Sequence, residues 1–134
     1  MEEKAITLFQ EKNIVFIATI MKDGSPQVTP VWANYEDGYI LVNTAEGRLK
    51  HKNVLRDSRV AVSVVSRDNF LDMTSIRGKV VEIIPDYDYK HANKLTKQYL
   101  DREKYPFWKE GEKRIILKIK PDKVFIMPEL EWKD

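Results

Sequence analysis

Cysteine is absent from the 134 residues. That excludes a disulfide framework, thiolate-ligated zinc or iron–sulfur centres, and thiol nucleophiles. It agrees with a reducing compartment. Histidine is scarce: His51 and His91 are the only two, and neither stands in a metal-binding spacing such as HExxH. No metal is expected. The five glycines, at positions 24, 38, 47, 78 and 111, form neither GxGxxG nor a Walker loop. The usual dinucleotide and nucleotide cradles therefore lose their motifs. No serine sits in GxSxG, so no nucleophile elbow is expected. Apolar runs such as residues 14–20 fall far short of the roughly 20 needed to span a bilayer. The opening MEEKAITLFQ is acidic and amphipathic, unlike a secretory leader. A cytoplasmic location and no membrane partner are the expectation.

Charge of one sign is lacking too: the formal net charge is only +2. Its placement is more telling than its size. Arg48, Lys50, Lys52, Arg56 and Arg59 face only Glu46 and Asp57 between residues 46 and 59. That stretch holds the whole basic excess, which suits a small anionic ligand better than a long polyanion.

The chain carries no repeats or low-complexity segments, and its length fits a single domain over 1–134. Residues 3–12 place Ala5, Ile6, Leu8 and Phe9 on one helical face. Residues 14–21 are apolar and β-branched and read as a strand buried on both faces. After the Asp23–Pro26 turn, residues 27–35 read as a second strand. Pro30 inside it marks an edge, a bulge or a side open to ligand. Glu36-Asp37-Gly38 is a tight turn into a third strand, 39–44, giving an antiparallel meander. Residues 46–57 form a loop entering a short helix. Strands follow at 59–66 and 73–84, and Gly78 in the latter suggests a bulge or close backbone approach. Residues 86–100 read as a helix opened by Asp86 and Asp88, with His91 as a partly exposed packing residue. Residues 102–111 read as a loop, and strands at 113–119 and 123–127 finish the chain. The fold class is mainly β: a six- to seven-stranded antiparallel split barrel with short helices, closed to remove its edges. The modest core makes dimerisation plausible.

Two stretches carry chemistry. In the run Asn43 to Asn53, a strand ends in a hydroxyl. A glycine turn then delivers Arg48 and Lys50 to a helix start, a workable phosphate cradle or else a solvated basic face. In Gln27 to Trp32, a proline-interrupted strand leaves backbone groups free for a flat, polar-edged ring, or is an ordinary edge. His51 could touch an anion but reads more simply as a surface residue. Tyr35, His51 and Tyr105 are conceivable proton donors, and no catalytic residue is assigned.

The ordered set "PQVTPVW", "NT", "GRLKHKN", "RDSRVAVSV", "RGKVVEI", "KQYL" and "RIILKIKPDKVFIM" spans nearly the whole chain. It resembles the split-barrel flavin- and deazaflavin-binding proteins related to pyridoxamine 5′-phosphate oxidase, in particular their short branch. The resemblance implies a homodimer with FMN or coenzyme F-420 at the subunit interface, and hydride transfer to a small organic substrate. Thr29, Pro30, Val31 and Trp32 would line the ring, and Asn43 and Thr44 would approach the ring edge or ribityl chain. Arg48 and Lys50 would bind phosphate, with Lys52 and Asn53 in support. Met73 and Trp132 would come from the partner subunit. No counterpart of the oxidases' C-terminal substrate segment is found, which sets vitamin B6 oxidation aside. Two alternatives stand beside this reading. One is a non-enzymatic FMN electron carrier. The other is a nucleic-acid-binding small barrel, which the balanced charge argues against.

Overall fold

The computed structural model describes residues 1–131 and 133, so Trp132 lies outside the described residues. Seven strands and three helices alternate along it. They are α1 (Glu3–Gln10), β1 (Val15–Ile20), β2 (Pro26–Val31), β3 (Ala33–Glu36), β4 (Tyr39–Ala45) and α2 (Leu49–Arg56). There follow β5 (Arg59–Val65), β6 (Met73–Pro85), α3 (Lys90–Leu100) and β7 (Arg114–Ile126). All strands join one antiparallel sheet in the order β2-β1-β5-β6-β7-β4-β3. The mainly β split barrel expected from the sequence is therefore present. Among the described residues no helix is long and apolar enough to cross a membrane.

The meander is not. Residues 27–35 divide at Trp32 into β2, which pairs with β1, and β3, which pairs with β4. Those two strands are the opposite edges of the sheet. The sheet must curl until its edges meet, because one residue joins them. Pro30 lies on an edge strand, where its missing N–H removes no ladder bond. The β3–β4 hairpin turns through Asp37 and Gly38, both at positive φ (51° and 91°), as a two-residue turn matching strand twist requires.

The concave face holds the core. Val15, Ile17, Ile40, Val42, Val62, Val64, Ile76, Leu117 and Ile119 alternate inward, and Leu8 and Phe9 of α1 pack among them. The continuous apolar run of β1 predicts burial on both faces. Instead the period-two pattern rules: Val15 and Ile17 are fully buried, whereas Phe16 on the convex face is 46% exposed. The two terminal strands expected from the sequence are one 13-residue strand, β7, carried past Pro121 by a register shift opposite Gly78. A side chain at Gly78 would overlap the carbonyl oxygen of Lys120. The expected bulge and the close approach are thus the same feature.

The last helix begins later than its apolar spacing suggests. Tyr89 takes a left-handed conformation (φ 64°), and the chain turns helical only at Lys90. Asp86 is set back from the helix yet caps it, accepting from the backbone N–H of His91 (2.8 Å) and Ala92 (2.9 Å). From that start α3 clamps the strand crossover. Gln98 Nε2 donates to the carbonyls of Phe9, Glu11 and Ala33. The Tyr99 hydroxyl accepts from Ala33 N–H (3.2 Å) and donates to the Asn13 carbonyl (2.8 Å).

Replacing Gly78 by alanine should lower stability by about 1–3 kcal/mol, the ordinary cost of overpacking. Urea unfolding of the variant checks it; an unchanged midpoint would show that β6 and β7 separate freely at that point.

Candidate functional site

A cavity of about 190 Å³ opens beside the crossover, walled by Pro30, Val31, Trp32, Asn43, Thr44, Arg48, Lys50, Ala92, Leu95, Tyr105, Phe107 and Arg114. Five elements converge there. The end of β2 and the crossover bring the proline and tryptophan. The end of β4 brings Asn43 and Thr44. The start of α2 brings the first cations, α3 and the following loop bring the apolar wall, and the start of β7 brings Arg114. Trp32 is held by stacking on Tyr99 (centroids 5.1 Å apart, 7° between planes) and by an edge contact with Tyr105 (6.4 Å). Tyr105 is anchored by its own N–H, which donates to Asn93 Oδ1 (2.8 Å).

The polar wall is cationic. Arg48 is the N-cap residue of α2, and its side chain makes no capping bond. The amides of Leu49, Lys50 and His51 begin the helix, where an anion is favoured. Lys50 is half-buried and has no carboxylate within ion-pair distance among the described residues. Burial, Arg48 and Arg114 all push its ammonium below the usual lysine range. Glu112 serves both guanidiniums, at 3.5 Å from Arg48 and 3.1 Å from Arg114. The Nδ1 of His51 is taken by the turn, accepting from Gly47 N–H (2.9 Å), and His51 is not in the cavity wall.

Behind this wall runs a buried polar chain. Arg114 Nε donates to Asn43 Oδ1 (2.8 Å). Asn43 Nδ2 donates to Asp86 Oδ2 and to His91 Nδ1, both at 2.9 Å. His91 Nε2 donates to Asn34 Oδ1 (2.8 Å), and Asn34 Nδ2 to Glu36 (3.2 Å), which also binds Lys94. Each donor meets an acceptor only if His91 is neutral with its proton on Nε2. His91 is therefore a buried link, not the partly exposed residue expected from the sequence. Burial holds its imidazole down at about 4, against the pull of Asp86 and Glu36.

Of the residues singled out from the sequence, the cavity brings together Pro30, Val31, Trp32, Asn43, Thr44, Arg48, Lys50 and Tyr105, while Tyr35 and His51 lie outside its lining. Asn43 stands in the wall, but its side chain is spent on Arg114, Asp86 and His91. Thr29 is not in the lining; the register sets it opposite Ile17 on the concave face, with an unpartnered hydroxyl. Lys52 is exposed and outside the lining. Asn53 is fully buried and bonded to Thr19 Oγ1 (3.0 Å), so it packs α2 onto β1 and does not face an anion. Met73 opens β6 opposite Val65, away from this cavity. Sequence reasoning missed Arg114, Phe107, Ala92 and Leu95. Only Arg114 left a signal, as a cation heading the otherwise apolar run RIIL.

The donor set suits a phosphate-bearing ligand. Thr44 is 1% exposed, borders the cavity, and its hydroxyl has no hydrogen-bond partner in the protein. Lys50 likewise lacks a counter-charge. A phosphate would satisfy such groups, and the flanking Trp32 and Pro30 offer a flat apolar surface.

His91 gives this region a pH dependence. Its native value, about 4, lies below the unfolded 6.5. Its contribution is therefore complete above pH 6.5 and is lost as pH falls towards 4, at up to about 1.4 kcal/mol per pH unit. Thermal unfolding from pH 7 to 4 should show that slope, and His91→Asn should flatten it. An equal slope in both proteins would assign the acid sensitivity to other groups.

The comparisons with known proteins agree with this architecture. The family model described as pyridoxamine 5′-phosphate oxidase matches residues 1–127. Among solved structures, an F-420 reductase superposes with a TM-score of 0.83 at 26% identity, over 93% of this chain and 98% of that one. General Stress Protein 26 from Bacillus anthracis gives 0.69 at 23% identity, over 95% and 94%. A conserved hypothetical protein from Mycobacterium tuberculosis gives 0.70 at 21% identity, over 100% and 93%. The last two likenesses speak for the fold alone. No curated protein sequence matches the chain. With nearly its whole length matched, this chain belongs to the pyridoxamine 5′-phosphate oxidase family.

Proposed function

We propose that the protein is an FMN- or coenzyme F-420-dependent oxidoreductase acting on a small organic substrate, with the cofactor's phosphate in the cationic cavity. The observation that carries this reading is the cavity's composition. Arg48, Lys50, Arg114 and the unpartnered Thr44 hydroxyl stand beside the Pro30–Trp32 segment, where a ring can lie. The family assignment and the likeness to an F-420 reductase support it.

At about 190 Å³ the cavity is smaller than the roughly 300–1,000 Å³ of ordinary ligand sites. It takes the charged end, and the ring then extends past Pro30 onto the convex face. That face is open, with apolar residues bordered by the exposed Arg77 and Lys123. Register sets Pro30, Phe16, Ser63, Ser75 and Phe125 in one row, and Val28, Ala18 and Ala61 in the next. Val28 is 60% and Phe125 54% exposed. Small central residues between large flanking ones suit a flat, close contact. A second copy of this chain is the occupant this reading assigns, because the row begins at Pro30, a residue of the cavity wall. The homodimer thereby covers the ring. Bound there, the cofactor supplies hydride transfer. The chain's own part is to anchor the phosphate, orient the ring against Trp32 and exclude water.

Titration of the purified protein with FMN and with F-420, followed by fluorescence, tests the reading, with lumichrome as the phosphate-free control. One cofactor should bind at micromolar concentration or tighter and the control should not. Lys50→Glu should weaken that cofactor by at least about tenfold while the fold persists, since it inverts a charge-assisted contact. An unaltered affinity in the folded variant would remove the phosphate from this cavity. Sedimentation should give a dimer, and Phe16→Asp should give a monomer with impaired cofactor binding; a monomeric wild type that binds normally would sink the interface assignment.

A further inference from the structure

A second cavity, of about 450 Å³, lies on the convex face, and the charges in its wall are mostly of one sign. Arg59, Arg77, Lys79 and Lys123 line it against one carboxylate, Asp122. Its floor is apolar and half-buried, from Ala18, Ile20 and Ala61. The register makes the cations neighbours. Arg59 stands opposite Lys79, Lys79 opposite Lys120, and Arg77 opposite Lys123. Directly opposed residues share a face of the sheet, and like charges so placed destabilise it. Arg59 is answered by Asp57 through two bonds. Arg77, Lys79, Lys120 and Lys123 have no carboxylate within ion-pair distance among the described residues. The free protein thus carries a repulsion that an anion in this hollow would relieve.

With Arg59 neutralised, three cations of the lining stand against Asp122, an excess of two positive charges. Those charges are spread. Adjacent strands are about 4.8 Å apart, and alternate residues of one strand about 7 Å, so Arg77, Lys79 and Lys123 rise from separate points. Backbone amides lie in the plane of a sheet, and none points into a hollow on its face. A single phosphate group is best held by converging donors that include main-chain N–H, which this floor does not offer. Two carboxylates on one carbon body match it better. Each meets its own cation, Arg77 can bind bidentately, and the body lies on Ala18 and Ala61. The volume falls within the roughly 300–1,000 Å³ of ordinary ligand sites. A second copy of the chain does not supply the missing charge. The rows of the convex face, from Pro30 and Phe16 through Val28 and Ala18 to Arg59 and Lys79, contain neither Asp nor Glu. A two-fold contact would bring that face against itself.

We propose that this hollow binds a small organic dicarboxylate with a flat, apolar body, and that it is where the protein anchors its substrate. The substrate role rests on the cofactor ring lying past Pro30 on the convex face; the anion site does not. Pro30 and Pro26 lie at the two ends of β2, one in the wall of each cavity, so phosphate and carboxylates do not compete for the same cations. Ala18, Ala61, Arg77 and Lys123 form the row beside the one that begins at Pro30, about 7 Å further along the strands. A dicarboxylate seated there has its body next to the ring and its charges on the cations.

Calorimetry on the purified chain, at pH 7 and fixed ionic strength, compares isophthalate, benzoate and inorganic phosphate. Isophthalate should bind at least about tenfold tighter than benzoate, the scale of one charge-assisted contact, and tighter than phosphate. Equal affinity for isophthalate and benzoate would overturn the two-point site. Phosphate binding as tightly as isophthalate would overturn the carboxylate class. Arg77→Gln and Lys123→Gln change exposed residues and should each weaken isophthalate by about tenfold. Folded variants that keep the wild-type affinity would overturn the assignment to this hollow. Lys50→Glu, in the other cavity, should leave isophthalate binding unchanged; its loss there would place the anion in the phosphate cavity and overturn the proposal. With cofactor bound, isophthalate should shift the cofactor's visible absorption in the wild type and not in Arg77→Gln. A spectrum unmoved at saturation would overturn the substrate role and keep the anion site. If neither FMN nor F-420 binds, the substrate role falls with the oxidoreductase reading, and isophthalate on the cofactor-free chain still decides the anion site.

Discussion

Everything in this molecule follows from one covalent constraint. The two edge strands of a seven-stranded sheet are consecutive in the chain and are joined by Trp32 alone. A flat sheet of this width would set its edges tens of ångströms apart, at about 4.8 Å per strand. The sheet must therefore roll up. Rolling creates the concave face that Phe9 and Leu8 fill, and it brings the ends of β2 and β4 together. The cavity is the seam left at that junction. Its ring-like wall, Pro30 to Trp32, is the joining segment itself.

Holding the seam takes polar work in a place with little water. Six side chains, Arg114, Asn43, Asp86, His91, Asn34 and Glu36, form a single run of bonds from the cavity to the surface. Such a run is stabilising only when every member is satisfied, because an orphaned buried donor costs about 1–3 kcal/mol. Here each member is bonded to the next, and the bonding fixes orientations that apolar packing would leave free. The amide of Asn43 has one permitted sense, and with it the guanidinium of Arg114. Rigid placement of a cation is what an anion site needs, since a preordered donor loses little entropy on binding. The same run makes α3 part of the site, because its first amides absorb the Asp86 charge that would otherwise compete for Arg114.

The fold was legible wherever the side-chain period was local. Most strand positions, the Asp37-Gly38 turn and the Gly78 anomaly follow from residue type and spacing, and Pro30 takes the edge placement among the three its residue type allowed. What was not legible is pairing. Residues 27–35 look like one strand because nothing in Val31-Trp32-Ala33 marks a change of partner. The crossover is a long-range choice imposed by Tyr99 and Gln98, more than 60 residues away. The apolar run of β1 misled differently. Phe16 and Ala18 suggest burial, and in one chain they face outwards. These outward residues belong to the face on which the proposed second copy would sit.

The charge pattern shows the same division between local and spatial order. Five cations crowd residues 46–59, and only Arg48 and Lys50 line the cavity. Arg59 is spent on Asp57 in a two-bonded pair. Arg56 donates to the Ile20 carbonyl and ties α2 to β1. Lys52 points to solvent. The third cation arrives from the start of β7, delivered by the Ala45–Arg114 pairing of the sheet. A linear count of charge therefore finds the right neighbourhood and the wrong membership. In a low-dielectric seam the energy of a charge depends on its nearest partners, and those are set by register more than by sequence distance. Lys50, half-buried with two arginines for neighbours, is tolerable in the free protein only at a cost. An anion in the cavity would relieve that cost, which is why the proposed function sets the phosphate beside Lys50.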